Sequence, residues 1–142
     1  MKHQKIILII PIIIFIISLF FKAFKIVDLG EILDFKSILI LLIGVISFLG
    51  GGILEFFIWS ANIWFLISLF FQYKKKYTWA ILFSLVGLTL SLSFAFWDKI
   101  LVSENGRMGE IYSLEIGYFL WLISIFFTVI SSIYLKIKYW NN

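Results

Sequence analysis

The chain contains no cysteine, one histidine and one proline among its 142 residues, and only 14% of the residues are charged. Without cysteine it can form neither a disulfide nor a thiolate metal site, and it has no cysteine to carry a lipid. The single histidine, His3, lies in the polar segment before the first apolar run, which excludes a histidine-based metal centre. We therefore expect no metal and no other cofactor.

Apolar residues occupy most of the positions in the chain. Hydrophobic residues make up 63% of the chain and the mean hydropathy is +1.09, whereas a soluble domain normally carries about 25% charged residues. This composition predicts an integral membrane protein whose partner is the lipid bilayer. Spans of about 20 residues each leave no polar stretch long enough for a separate soluble catalytic domain. The net charge of +4 then reflects loop topology and not nucleic-acid binding.

Four apolar runs predict four transmembrane helices in a single membrane domain. The predicted spans are about 5–24, 53–73, 78–97 and 116–135, joined on the outer side by connectors 25–52 and 98–115. The fold class predicted is an all-α integral membrane protein, a four-transmembrane-helix bundle. Residues 38–49 add a short segment before the second span that is interfacial, re-entrant or an extension of the helix, with the glycines at 50–52 marking a bend or close packing.

The basic residues orient these spans. Seven lysines and no acidic residue fall in the segments assigned to the cytoplasm, against five basic residues on the outer side. The seven are Lys2, Lys5, Lys74, Lys75, Lys76, Lys136 and Lys138. Because short cytoplasmic loops are enriched in lysine and arginine, we expect a multi-pass protein of the cytoplasmic (inner) membrane with both termini in the cytoplasm.

Three polar or aromatic residues share one face of the second predicted span. Glu55, Trp59 and Asn62 follow one another at i, i+4 and i+7. Asn62, near the middle of the span, is expected to hydrogen-bond a neighbouring helix. Glu55 lies near the outer interface, where it can pair with Lys22, Lys25 or Lys36, bind a proton or cation in an outward-facing cavity, or recognise a partner.

Small and hydroxylated residues form stripes on the third and fourth predicted spans. Ser84, Gly87 and Ser91 share a face of the third, and the stripe on the fourth consists of Gly117, Trp121, Ser124, Thr128 and Ser131. Small residues let helix backbones approach closely, so these stripes predict a tight interface between the two helices or with a second copy of the chain. A hydrated pathway lined by the hydroxyl groups is the alternative.

The second outer connector contains the only arginine of the chain. Arg107 has Glu104 and Glu110 close to it in sequence, and an Asn-Gly turn precedes it. The arginine is expected to pair with one of these acids or to contact a ligand or partner at the membrane surface. The chain has no glycine-rich phosphate loop, no zinc-protease motif and no histidine placed to activate a serine, so we predict no enzyme.

Several short segments together resemble a group of small bacterial four-span inner-membrane proteins of unassigned function. The segments are FIISLF at 15–20, WSAN at 59–62, SLSF at 91–94 and GYFLWL at 117–122. This resemblance implies a four-span fold and carries no catalytic or binding role with it.

The function expected from the sequence is that of an accessory, immunity-type or scaffold subunit of a membrane complex, acting through protein contacts. The alternative is a small homo-oligomeric transporter or channel-like protein in which Glu55 and Asn62 from several copies surround a path. The expected partners are accordingly a membrane protein or further copies of this chain.

Overall fold

The computed structural model describes residues 2–139. The polar segment before the first apolar run is therefore only partly described, and the side chain of His3 lies outside the described part. The helices are α1 (Lys2–Ser18), α2 (Ser37–Ile43), α3 (Ile53–Trp59), α4 (Ala61–Tyr73), α5 (Tyr77–Ser93) and α6 (Ile116–Tyr139). Two 3₁₀ segments, Gly44–Gly50 and Phe94–Phe96, follow α2 and α5. The strands are β1 (Lys22–Asp28), β2 (Glu31–Lys36), β3 (Lys99–Leu101) and β4 (Met108–Leu114).

The four strands form one antiparallel sheet in the order β2-β1-β4-β3, and the prediction of an all-α fold is therefore wrong. Each of the two connectors supplies a hairpin, and β1 joins them by pairing with β4. In β1 the residues Phe24, Ile26 and Asp28 are buried in alternation, which is the period of a strand with one covered face. Leu29 and Gly30, with φ of 51° and 85°, make the tight turn to β2.

Three helical stretches are long and apolar enough to cross a membrane, namely Ile53–Tyr73, Tyr77–Phe96 and Ile116–Tyr139. They overlap the second, third and fourth predicted spans. The first predicted span, 5–24, is wrong in its extent: α1 ends at Ser18, because the chain turns and enters β1 at Lys22. Among the described residues, a bundle of four span-length helices is thus not present, and α1 is a shorter apolar helix.

The helical core is formed by α1, α4, α5 and α6. Helix α5 packs against α4 and α6, and α6 also packs against α1. Ala61, Phe65 and Leu69 of α4 meet Ile125 of α6 in the buried centre. Gly87 of α5 lies so close to α4 that a Cβ atom there would be 3.3 Å from the carbonyl oxygen of Ala61. Small residues therefore set how closely these helices approach.

The segment before the second span is a helical arch, Ser37–Gly50, made of α2 and the first 3₁₀ segment. The chain reverses at Gly51, whose φ of 89° is left-handed, and the Gly52 amide donates to the Ser47 carbonyl at 2.9 Å. Helix α3 then runs back against the 3₁₀ segment. The glycines at 50–52 therefore form the turn of a helical hairpin, as their freedom to adopt positive φ allows.

Candidate functional site

A cavity of about 340 Å³ lies where the arch, the sheet and the helical core meet, and we call it the junction cavity. Its volume is at the lower end of the range of about 300–1,000 Å³ for small-molecule sites. Apolar side chains from α1, α2, β1 and α6 form most of its wall, including Phe15, Ile40, Phe24 and Tyr118. The three residues of the predicted polar face, Glu55, Trp59 and Asn62, all line it.

Trp59 holds the arch over this cavity. Its Nε1 donates a hydrogen bond to the carbonyl oxygen of Leu41 at 2.9 Å. Its ring lies directly against Gly44, where a Cβ atom would overlap the ring. The absence of a side chain at Gly44 therefore lets the arch approach α3 closely enough for this hydrogen bond to form.

Asn62 links α4 to α6 beside the cavity. Its side-chain nitrogen donates to the Trp59 carbonyl at 2.8 Å, and its Oδ1 accepts from Nε1 of Trp121 at 2.8 Å. The hydrogen bond that Asn62 was expected to form with a neighbouring helix is therefore the one with Trp121 of α6. Both polar ends of the amide have partners, which an amide in apolar surroundings requires.

Glu55 contacts the sheet and not a lysine. Its Oε1 accepts a hydrogen bond from the backbone N–H of Leu101, in edge strand β3, at 2.8 Å. Of the lysines expected to pair with it, Lys22 pairs with Asp34 at 2.6 Å and Lys25 with Glu115 at 3.4 Å. The carboxylate therefore ties α3 to the β3 edge, a role that sequence spacing does not reveal because the contact spans 46 positions.

Ser37 is a site residue that sequence reasoning missed. It begins α2, lines the junction cavity and is 9% exposed, and its hydroxyl has no hydrogen-bond partner among the described residues. A serine directly before an apolar run is typical of the start of a helix, and this pattern is the sequence signal that could have identified Ser37. The hydroxyl packs against Gly117, where a Cβ atom would overlap it, so its burial follows from the close approach of α6 to the arch.

The only arginine pairs differently from the expectation. Arg107 contacts Asp28 at the end of β1, with 3.1 Å between nitrogen and oxygen, and Asp28 is buried. Glu110 lies 3.8 Å from Lys99, and the side chain of Glu104 lies near Gly50. The pairing of β1 with β4 brings Asp28 next to the β3–β4 hairpin, so the tertiary contact replaces the local one.

The small residues of the stripes are buried, α5 and α6 pack against each other, and the two glycines of the stripes face other elements. Gly87 faces α4, and Gly117 faces β1 and the start of the arch. The hydroxyls of Ser84, Ser91, Ser124, Thr128 and Ser131 donate to carbonyls of their own helices. Between α5 and α6 the hydroxyl of Tyr118 donates to the carbonyl of Ser91 at 2.8 Å, and between α4 and α6 the amide of Gln72 donates to Ser131 at 3.1 Å.

The carboxylate of Glu115 joins the sheet to α6 and makes the stability of this junction sensitive to acid. A hydrogen bond from Ser113 at 2.6 Å and the nearby Lys25 lower the pKa of Glu115 below its ordinary value of 4.5. Because the folded state favours the ionised form, its stabilising contribution is full above pH 4.5 and is lost as the pH falls through the lowered pKa. We expect the unfolding temperature measured in detergent to fall with acidification over this window.

The matched variant for this prediction is Glu115→Gln. It removes the charge at every pH, so its unfolding temperature at pH 7 should be below that of the wild type, and its further decrease on acidification should be smaller. Equal acid dependence of the two proteins would contradict the assignment to Glu115. The pKa of Asp34 is also lowered, by its hydrogen bond with Lys22, so this carboxylate adds to the acid dependence of the sheet.

Within residues 2–139, no group of three or more histidine, cysteine, aspartate or glutamate side chains is placed to hold a metal ion. No protein-family model matches the chain, and no curated protein or solved structure matches it either.

Proposed function

We propose that the chain is a multi-pass protein of the cytoplasmic membrane that binds an amphiphilic ligand in the junction cavity. The membrane placement is supported by the three helical stretches of span length. In the most apolar 18 residues of each stretch, only 28%, 28% and 44% of the residues are buried. Soluble monomers rarely leave so much contiguous apolar surface exposed. Lipid tails covering these faces account for them.

The ends of the helical core differ in the way that a membrane orientation requires. Lysines cluster in the turn between α4 and α5 and in the last turns of α6. The acidic residues all lie between 28 and 115, and the one that falls in a span-length stretch, Glu55, is in its first turn. Gln4 of α1 donates to the carbonyl of Gln72 at 3.5 Å, which brings the start of the chain to the lysine-rich end. We therefore place that end in the cytoplasm and the sheet on the outer side.

The junction cavity carries the proposal for a ligand. Its wall is largely apolar, and side chains of the sheet, Phe24, Phe35 and Ile100, form part of it. The side chains of Glu55 and Asn62 add polar groups to this wall. An amphiphile with a single hydrocarbon chain and a hydrogen-bond-donating end group satisfies both features, because the chain fills the apolar volume and the end group donates to the Glu55 carboxylate.

Filling the cavity from the arch tests this proposal. Ile40 lines the cavity and packs against the buried cluster around Phe24, whereas Leu42, two residues away, is 64% exposed and does not line it. We expect Ile40→Trp to lower the retained amphiphile, measured by native mass spectrometry of protein purified in mild detergent, by about tenfold. Leu42→Trp, the control with a similar increase in volume, should retain the wild-type amount.

Equal retention by the two variants would overturn the proposal, as would the absence of any bound amphiphile from the wild type. Identification of the retained molecule by lipid extraction would then define its end group. Circular dichroism and the unfolding temperature of each variant show whether it remains folded, so that loss of ligand is not confused with loss of structure.

A second candidate function, as an accessory or scaffold subunit, is favoured by the asymmetry of the sheet. Glu55 covers a backbone group of edge strand β3, whereas β2, at the other edge, pairs with β1 and has no strand on its outer side among the described residues. The occupant proposed for that edge is an extended segment of a membrane-protein partner, which would add a strand to β2. Mass photometry of the purified protein should then show a stoichiometric, unrelated membrane protein, and a homogeneous homo-oligomer would contradict it.

The transporter alternative would require Glu55 and Asn62 to face a path between copies of the chain. Both side chains instead hold intramolecular hydrogen bonds, to Leu101 and Trp121 respectively. The geometry therefore favours a binding function over transport.

A further inference from the structure

The arch and the turn after it are uncharged. No aspartate, glutamate, lysine, arginine or histidine occurs from residue 37 to residue 54. The hydroxyl of Ser47 donates to the carbonyls of Gly44 and Gly52, at 2.8 and 3.2 Å, so it has partners inside the segment. The arch is helical along its length, and helical backbone groups pair largely among themselves. Such a segment has little need of water to satisfy its polar groups.

The side of the arch that faces away from the junction cavity is apolar and exposed. Leu42, Ile46 and Leu49 do not line the cavity, and each is more than half exposed, with Leu49 at 74%. Ile53 and Phe57 are exposed on α3, which packs beside the arch. A soluble monomer rarely exposes so many large apolar side chains together. This surface therefore requires a cover.

Contact with Trp59 sets the depth at which the arch lies. Trp59 comes six residues after Ile53, where the span-length stretch Ile53–Tyr73 begins. At about 1.5 Å per residue, its Cα atom lies roughly 9 Å along that helix. The indole bonds the carbonyl of Leu41 and packs on Gly44, so the middle of the arch lies beside the first third of the span.

Both ends of the arch, in contrast, lie at the sheet. Its first residue directly follows Lys36, the last residue of β2. At the far end, a Cβ atom on Gly51 would lie 3.8 Å from Leu101 of β3, and Glu55 bonds the backbone of the same residue. The chain thus leaves the level of the sheet, passes along the upper part of the span and returns to the same level.

We propose that the arch is a re-entrant segment in the outer leaflet, and that lipid acyl chains cover Leu42, Ile46 and Leu49. The inference rests on the proposed membrane placement, which sets the sheet on the outer side. Acyl chains fit this surface better than a protein partner does. A protein interface includes about one hydrogen bond per 100–200 Å², whereas these side chains offer no polar atom. Charged residues flank the segment only at the level of the sheet, where lipid headgroups meet water.

Spin labelling tests this proposal, and the lack of cysteine in the chain makes each introduced label unique. Nitroxides are attached to Leu42→Cys in the arch, Leu66→Cys in α4 and Leu29→Cys in the β1–β2 turn, all at exposed positions. In dioleoylphosphatidylcholine vesicles, the accessibility of each label to oxygen, which dissolves in hydrocarbon, is divided by its accessibility to a polar nickel chelate. We expect the ratio at Leu42 to exceed that at Leu29 about tenfold and to lie within about threefold of that at Leu66, because an apolar medium excludes the chelate.

A ratio at Leu42 equal to that at Leu29 would overturn the proposal by placing the arch in water. Low accessibility of Leu42 to both reagents would overturn it in favour of a protein cover, including a second copy of the chain. Ile46→Cys provides a second label on the same surface, and circular dichroism shows whether each variant is folded. A ratio at Leu66 as low as that at Leu29 would instead overturn the membrane placement itself, so the two failures are distinguishable.

Discussion

Replacing Gly117 by alanine should lower the unfolding temperature by at least about 5 °C, because it separates α6 from the sheet. A Cβ atom at this position would lie 2.6 Å from the carbonyl oxygen of Lys22 and would overlap the hydroxyl of Ser37. The Lys22 carbonyl belongs to a paired strand and cannot move away alone. Overpacking of this kind typically costs about 1–3 kcal/mol. Here the contact joins α6 to both β1 and α2.

The control for this substitution is Gly50→Ala. A Cβ atom there would meet only the Cγ of Glu104 at 3.4 Å, and that side chain is flexible and can move. Its unfolding temperature, followed by circular dichroism in the same detergent, should stay within about 2 °C of the wild type. If the two alanine variants unfolded at the same temperature, the close packing of α6 on β1 and the arch would be contradicted.

Replacing Asn62 by leucine should destabilise the protein by about 1–3 kcal/mol. The substitution removes the acceptor of the Trp121 indole N–H, which lies 2.8 Å from Asn62 Oδ1, and leaves that donor unpaired in the helical core. It also removes the donor to the Trp59 carbonyl. The free energy of unfolding, measured by titration with a denaturing detergent, reports this loss.

A double-mutant cycle with Trp121→Phe isolates the hydrogen bond. Phenylalanine removes the indole donor while keeping an aromatic ring, so the combined variant Asn62→Leu with Trp121→Phe leaves neither partner unpaired across the α4–α6 contact. We expect the double variant to lose less than the sum of the single losses, by about 1 kcal/mol. Strictly additive losses would show that the two side chains do not interact.

The hydrogen-bonding partners of the candidate site could not be predicted from the sequence, although several of its members could. The spacing of Glu55, Trp59 and Asn62 placed them on one face, and all three line the junction cavity. Their partners lie in segments far along the chain, such as Leu101, 46 positions from Glu55, and Trp121, 59 positions from Asn62. The packing of the whole chain decides which distant segments meet, and a local sequence pattern does not predict these contacts.

The sequence by itself determined the three long apolar helical stretches, because hydropathy is a sum over neighbouring residues and needs no knowledge of partners. Only the tertiary structure decided that the connectors form a sheet. Short strands gain their hydrogen bonds from one another, and Phe24 of β1 finds its partner Leu114 of β4 some 90 positions away. For the same reason Arg107 pairs with Asp28 and not with its sequence neighbours, since the pairing of β1 with β4 brings Asp28 close to the β3–β4 hairpin.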